Sequence, residues 1–467
     1  MGVSDLSLGA AADGPRATLL TSGHIIARIE RLTASSMQIR ARLLVGMATF
    51  FDGFDAIAIA TTLPLLIKQW GLSSTQIGLL IAAAAVGQLI GTFLFPLYAQ
   101  RHGRVRAIAY SSGIIGITSI ACGFAPSFEV FLLLRIIQGI GLGGELPVAA
   151  TYINEITRAH NRGRFVLLYE IIYPIGLLAS AALGAWLVPR HGWEIMYYLG
   201  GVPVVLMFVL PRVIPESPRW LAEKGRLADA DTALARFESS ARVTLAEPED
   251  AHRYDAMLAS HPRRTVRDLF SRAYLSRNVV VALLWSSCGF IQYGLSTWLP
   301  TIYQTVYKVP LQQALNLSLG ASALGVVGSL VAALTVDRFG RKPVIVAAFL
   351  LCAVTLALAG ALSGQSIYVV ATLCSLAWGF LACGFIISYV YTPEMYPTSI
   401  RALGCGLGGT WVKLSAMIAP MIVAALMAKG SMDLAFYVLG AVPLLTALAV
   451  AWLGIETRGK VLEQLHA

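Results

Sequence analysis

The chain has 467 residues, of which 57% are hydrophobic and only 13% charged, with a formal net charge of +10. Soluble domains carry roughly 25% charged residues, so a globular enzyme of this length is excluded. The basic excess is not a nucleic-acid signature either, because it follows the loops between apolar runs.

Runs of about 20 apolar residues have the length of a bilayer-spanning helix. Twelve are expected: 42–66, 76–99, 106–125, 128–155, 163–188, 194–212, 278–303, 313–336, 343–363, 366–391, 401–427 and 432–454. They define an all-α membrane protein made of two six-helix halves. In chain order these are an N-terminal segment (1–41), the first half (42–212), a linker with short helices (213–277), the second half (278–455) and a tail (456–467). Residues 1–40 are polar and mixed, without the charged start and short apolar core of a cleavable leader. The first run is therefore read as an anchor. Lys and Arg concentrate in alternate loops and both terminal segments, while the other set holds only Lys68, Arg190, Lys308 and Lys429. By the positive-inside rule both termini are cytoplasmic. The stretch Ala228 to Glu238 in the linker has one polar face and is expected beneath the cytoplasmic end.

Charges inside a span are costly and are functional candidates by default. Asp55 sits in the first run and Arg135 in the fourth. At 1.5 Å per residue, both lie about 10 Å from the outer face, so contact is allowed. Burial favours the neutral form of a lone carboxyl, and an adjacent guanidinium favours the ionised form. A separation that opens and closes would then load and unload a proton, whereas a fixed separation would be a structural ion pair. Asp52 lies one turn before Asp55, almost on the same helix face, where two like charges are uncomfortable together. It either shares in coupling or caps polar groups. Lys413 is the other intramembrane cation, near the midplane of the eleventh run. Arg offers a planar fork to a carboxylate, and either Arg135 or Lys413 can hold a substrate carboxylate. Lys413 can alternatively pair with a helix carbonyl or a buried acid such as Glu170. Glu145 and Glu170 read as structural pairs or as an inward proton relay. The glycines around Glu145 (Gly139, Gly141, Gly143, Gly144) read as a packing groove.

The halves repeat each other. Tyr152-x-x-Glu155 followed by Arg162 recurs as Tyr391-x-x-Glu394 followed by Arg401 at one constant offset. Arg101-His102-Gly103-Arg104 recurs as Arg338-Phe339-Gly340-Arg341, and Glu216-Ser217 as Glu456-Thr457. Such repeats place a binding site between the halves near the midplane. The offset puts Cys374 opposite Arg135, an asymmetry expected of a ligand contact. An offset one residue shorter puts Tyr293 opposite Asp55. Gln292, Tyr293, Trp298, Trp378, Tyr389 and Trp411, with Phe54 and Gln138 from the first half, are candidates to sandwich and orient a flat ring. Singly, each aromatic also fits a packing role. Arg104, Glu155, Arg162, Asp337, Arg341, Glu394 and Arg401 lie at the cytoplasmic ends and are expected to latch an inner gate. The six cysteines (Cys122, Cys288, Cys352, Cys374, Cys383, Cys405) fall inside spans with no metal-ligand spacing and read as packing residues. No cofactor is expected.

These residues carry a family resemblance. Asp337-Arg338-Phe339-Gly340-Arg341-Lys342 resembles the loop signature of the major facilitator superfamily. Arg135-x-x-Gln138-Gly139-x-Gly141-x-Gly143 is similar to its fourth-helix motif. Pro215-Glu216-Ser217-Pro218-Arg219-Trp220-Leu221 and Pro393-Glu394-Met395-Tyr396-Pro397-Thr398 resemble sugar-porter signatures. The first copy of the loop departs from the pattern, with Gln100 where the family usually has Asp, which weakens that copy of its charge network. Phe51-Asp52-Gly53-Phe54-Asp55 is similar to aromatic acid:proton symporters. Gly143-Gly144-Glu145-Leu146-Pro147-Val148-Ala149, with Arg162-Gly163-Arg164-Phe165 and Leu167-Leu168-Tyr169-Glu170, resembles bacterial niacin permeases. The resemblance implies proton-coupled uptake of a small aromatic or pyridine carboxylate such as nicotinate, by alternating access. It also implies an inner-membrane protein working as a monomer, with substrate, protons and lipid as its partners. A sugar or organic-cation carrier is the alternative. A sugar site needs more polar side chains in spans five, seven and ten, and a cation site has no use for Arg135 and Lys413. Nothing in the sequence marks a nucleophile elbow, a nucleotide loop or a soluble signalling domain.

Overall fold

The computed structural model describes residues 21–32, 35–158, 169, 171–241, 269–396 and 400–458, with Asp337, Arg401 and Ala402 described by backbone alone. Among the described residues, twelve helices are long and apolar enough to cross a membrane. Spans 1 to 6 are Ser36–Trp70, Ser74–His102, Arg104–Gly123, Phe128–Glu155, Ile172–His191 and Glu194–Val213. Spans 7 to 12 are Leu275–Thr305, Leu311–Val336, Arg341–Ala361, Ile367–Glu394, Leu403–Ala428 and Met432–Leu453.

Local chemistry sets the ends. Ser35 with Gln38, and Ser73 with Gln76, form capping boxes at the starts of spans 1 and 2, which satisfy amide donors left over at a helix N-terminus. Gly71, left-handed at φ 60°, closes span 1. Gly103 (φ 107°) and Gly340 (φ 98°) turn span 2 into 3 and span 8 into 9. At each turn a carboxylate occupies the room a side chain would need. An added Cβ would meet Glu216 Oε2 at 2.2 Å or Glu456 Oε2 at 2.7 Å. Glu216 accepts from the Arg104 and Ser217 amides at 2.8 and 2.9 Å. Glu456 accepts from the Arg341 and Lys342 amides at 3.1 and 3.0 Å. Burial raises Glu216 above the usual carboxylate range despite its amide donors. At Glu456 burial also works upward, but four backbone donors outweigh it and hold the group low. The sequence repeat is therefore a repeated structural device.

Within the first half, span 1 packs on span 5, span 2 on span 4, and span 3 on spans 4 and 6. The second half repeats this with 7 on 11, 8 on 10, and 9 on 12. The halves meet through the symmetric pairs 2 with 11 and 5 with 8. Gly78 lies against Met421 and Ala424, Gln312 Nε2 donates to Ala185 O at 2.8 Å, and the end of span 7 packs on span 1. These contacts lie toward the face opposite the linker.

Three features depart from the sequence reading. Span 6 is two helices, Glu194–Leu199 and Val204–Val213, joined by a turn at Gly200, Gly201 and Pro203. Span 7 carries a π-turn at Gln292–Ser296. Within the segment expected to be only polar, Ser22–Arg31 is a helix, and the helix of span 1 already begins at Ser36. The expected start of span 5 at 163 lies outside the described residues. Ile25 and Ile29 of the Ser22–Arg31 helix pack on Trp220, Leu221 and Leu234. Arg28 pairs with Asp231 at 2.6 Å and Glu238 at 2.5 Å. The linker helices Pro218–Glu223 and Leu227–Glu238 are thereby tied to the first half. Trp220 Nε1 donates to Gln100 O at 3.1 Å, so this position contributes its backbone carbonyl where an acid was expected.

The glycine groove is a backbone-to-backbone contact. Added Cβ atoms at Gly139 and Gly143 would lie 2.1 Å from Ala84 O and Gln88 O. Those at Gly87 and Gly91 would lie 1.9 and 2.0 Å from Ile136 O and Ile140 O. Gly87→Ala must push spans 2 and 4 apart, which should cost about 1–3 kcal/mol or more. Gly320→Ala, with nothing within 4 Å, should leave stability unchanged or slightly raised. Thermal unfolding of both variants in detergent checks this, and equal midpoints would contradict it.

Candidate functional site

Among the described residues, two buried polar clusters contain intramembrane charges. In the first, Arg135 Nη1 donates to Asp55 Oδ1 and Oδ2 at 2.7 and 2.8 Å and to Gln138 Oε1 at 2.6 Å. Gln138 Nε2 donates to Asp55 Oδ1 at 3.0 Å. Spans 1 and 4 are thus joined by a closed triad. Arg135 is 1% and Asp55 4% exposed, so the triad is sealed inside the first half. Removing one member would strand a buried charge.

The second cluster crosses the seam between halves. Lys413, half-buried on span 11, donates from Nζ to Gln88 Oε1 on span 2 at 2.5 Å. Its charged neighbours are Asp52 and Glu145. Asp52 is buried and makes no hydrogen bond, nor an ion pair within 4 Å, with any described residue; Lys413 and Asp55 are the charges acting on it. Tyr293 packs on Ala85 and Ala416 and faces Asp52 and Gln88. Gln292 Nε2 donates to the Tyr173 hydroxyl at 2.5 Å, joining spans 7 and 5. Glu145 Oε1 accepts from Thr49 Oγ1 at 3.0 Å, and Thr49 is hydrogen-bonded to Tyr169.

Beside this seam lies a cleft between spans 5, 7, 8 and 10. Tyr173, Gln292, Ser322, Trp378, Phe385 and Tyr389 line it with aliphatic side chains between them. Of the residues expected to hold a ring, the structure brings Gln292, Trp378 and Tyr389 to the lining of this cleft, while Tyr293 packs on Ala85 and Ala416. It does not bring the others. Phe54 packs in a core cluster with Ala185, Val188 and Met196. Trp298 is 2% exposed in the main core. Trp411 is 38% exposed on span 11. Arg135 and Gln138 stand apart from the cleft in their own triad. Lys413 bonds to the amide of Gln88 and not to a helix carbonyl; Glu170 lies outside the described residues. Gln88, Tyr173, Thr49 and Tyr169 were missed. Gln88 had a signal, as an amide side chain shortly after the four alanines 82–85 in the apolar middle of span 2.

At the linker face the expected gate charges pair within halves. Arg104 Nη2 reaches Glu155 Oε1 at 2.8 Å, and Arg341 Nε reaches Glu394 Oε2 at 3.2 Å. Arg162 lies outside the described residues, and the side chains of Asp337 and Arg401 are not among those described.

The family model described as sugar (and other) transporter matches residues 32–467. The chain belongs to that family. This transporter is 31% identical to the niacin transporter NiaP of Acinetobacter baylyi, over 94% of its own length and 99% of that protein. It is 29% identical to the gallate transporter of Pseudomonas putida, over 87% and 90%. It is 28% identical to a synaptic vesicle 2-related protein of Xenopus laevis, over 93% and 81%. Among solved structures, the inward-open xylose transporter XylE of E. coli matches with a TM-score of 0.75 at 21% identity, covering 92% of this chain and 99% of that one. The major facilitator fold, with two six-span halves, is thus established, and the transporter is a multi-pass membrane protein and not an enzyme.

The triad makes a stability prediction. Arg135→Met or Asp55→Leu alone leaves an unpartnered buried charge and should cost about 3–5 kcal/mol. The double variant should lose much less than the sum, because it removes both charges. Thermal unfolding in detergent reads the cycle, and additive losses would show that the two charges are uncoupled.

Proposed function

We propose that this transporter imports a small aromatic or pyridine monocarboxylate, nicotinate foremost, coupled to protons and working by alternating access in a cell inner membrane. The observation that carries the reading is Lys413. It is a half-buried ammonium at the seam between halves, bonded to a neutral amide. A carboxylate entering a low-dielectric cavity needs a cation that is not already neutralised, and Arg135 is committed to Asp55. The aromatic wall of Trp378, Phe385 and Tyr389 suits a flat ring, and Gln292 can orient it. Span 1 supplies the buried acid that coupling requires. The niacin and gallate transporters among the relatives support a ring carboxylate as substrate. The mostly aliphatic lining between the aromatics disfavours a sugar, and Lys413 disfavours a cation.

Uptake by cells expressing the chain tests this. Labelled nicotinate should accumulate above background and collapse with a protonophore. Nicotinamide should accumulate at least tenfold less, since it lacks the charge Lys413 answers. Lys413→Gln should lose at least tenfold in nicotinate uptake. Equal accumulation of acid and amide, or uptake of xylose in their place, would overturn the carboxylate reading.

With the linker face cytoplasmic, as the basic loops predict, the halves meet toward the outside. Arg104, Glu155, Arg341 and Glu394, with Arg162, Asp337 and Arg401, then form the inner gate that closes when the carrier faces outward. Glu394→Gln should increase labelling of a cysteine placed in the cleft by a reagent added from the cytoplasmic side. Labelling equal to the parent would mean that these charges are merely solvated.

A further inference from the structure

The two acids of span 1 stand in opposite circumstances. Asp55 has both oxygens taken by Arg135, and one also by Gln138, at 2.7 to 3.0 Å. Asp52, 6% exposed, makes no hydrogen bond with any described residue. A buried carboxylate without hydrogen-bond donors is held ionised only by nearby charge. The charges and titratable groups facing Asp52 are Lys413 of span 11, Asp55 of its own span, Tyr293 of span 7 and Tyr173 of span 5. Lys413 is the one cation among them. It attracts Asp52 without touching it, since its ammonium is bonded to Gln88. Lys413 also feels Glu145, which Thr49 holds.

We infer that Asp52, and not Asp55, is the group that takes the proton, and that it does so because the substrate carboxylate takes over Lys413. The inference rests on the carboxylate reading of the site. In the empty carrier the Lys413 ammonium works against burial and Asp55 to favour the ionised form of Asp52. A substrate carboxylate that binds the ammonium cancels that effect. Asp52 then takes one proton from solvent, and the loaded site holds one ammonium, one substrate carboxylate and one neutral acid. No bond other than O–H forms. When the substrate leaves, the ammonium again acts on Asp52, and the proton is released to the same side. Substrate and proton are thereby tied through one shared cation, while the Asp55–Arg135–Gln138 triad remains a fixed strut between spans 1 and 4.

Calorimetric titration of the purified chain with nicotinate in two buffers of different ionisation enthalpy counts the protons taken up. The parent should take up protons on binding nicotinate, and its Kd should rise with pH, by up to tenfold per pH unit. Asp52→Asn should still bind nicotinate, with proton uptake near zero and a Kd that is flat with pH. Lys413→Gln, which leaves Asp52 without its cation and already neutral, should bind at least tenfold more weakly and also take up no proton. It serves in place of Asp52→Asn if that variant does not fold. Undiminished proton uptake in either variant overturns the assignment to Asp52 while leaving the carboxylate reading intact. Failure of the parent to bind nicotinate or benzoate overturns both.

Discussion

A charge buried among helices in lipid has no water to answer it, so its partner decides what it can do. Arg135 and Lys413 show the two possible answers. Arg135 is met by a carboxylate and an amide on neighbouring spans of one half, which neutralises it and fixes spans 1 and 4 against each other. Lys413 is bonded to a neutral amide from the opposite half, and its acidic neighbours Asp52 and Glu145 act on it without a direct ion pair. The first arrangement suits a strut. The second leaves a field into which an anion can be drawn, at the one place where both halves reach it.

Around these charges the backbone packs closely. Spans 2 and 4 interlock through Gly87, Gly91, Gly139 and Gly143, whose missing side chains let carbonyls of the facing helix approach. That close approach brings Gln88 to the seam and keeps Arg135 within reach of Asp55. The scaffold is symmetric: Gly103 and Gly340 turn alike, Glu216 and Glu456 cap alike, and Arg104–Glu155 matches Arg341–Glu394. The chemistry is not. Cys374, buried in the second half, stands opposite Arg135, and Lys413 has no equivalent on span 5. A ligand with a charge at one end and a ring at the other needs such asymmetry.

Much of this was legible because membrane spans are written in hydropathy and a charge within one is conspicuous. The twelve helices and the repeated loops followed from residue type and spacing alone, which also allowed the Asp55–Arg135 contact without requiring it. What was not legible depended on direction. Phe54, Trp298 and Trp411 were grouped with the true wall residues because they are aromatic, yet their helix faces point into cores or outward. The π-turn at Gln292–Ser296 changes the register within span 7, so position counted along an ideal helix does not give the face of Trp298. The Ser22–Arg31 helix was hidden because its apolar residues are few. It is held by a partner surface, Trp220, Leu221 and Leu234, that lies far away in sequence. Gln88 was passed over because a neutral amide is quiet beside a charge, although its burial in an alanine run demanded a partner.

The bonds across the seam tie binding to movement. A ligand shifts a conformational equilibrium only by the difference in its affinity for the two states. Lys413–Gln88 and Gln292–Tyr173 each join one half to the other, so groups that would contact a substrate also hold the halves in their present relation. A carboxylate on Lys413 competes with Gln88, and a ring nitrogen or hydroxyl against Gln292 competes with Tyr173. On the proposed reading, binding would exchange interhalf bonds for ligand bonds and leave the halves freer to rotate when the site is filled. The triad contributes nothing to this exchange, since all its members travel together in the first half. Coupling between substrate and motion is thus expected at Lys413 and Gln292, and the rigidity that makes the motion a rotation of whole halves is expected at Asp55, Arg135 and the glycine seam.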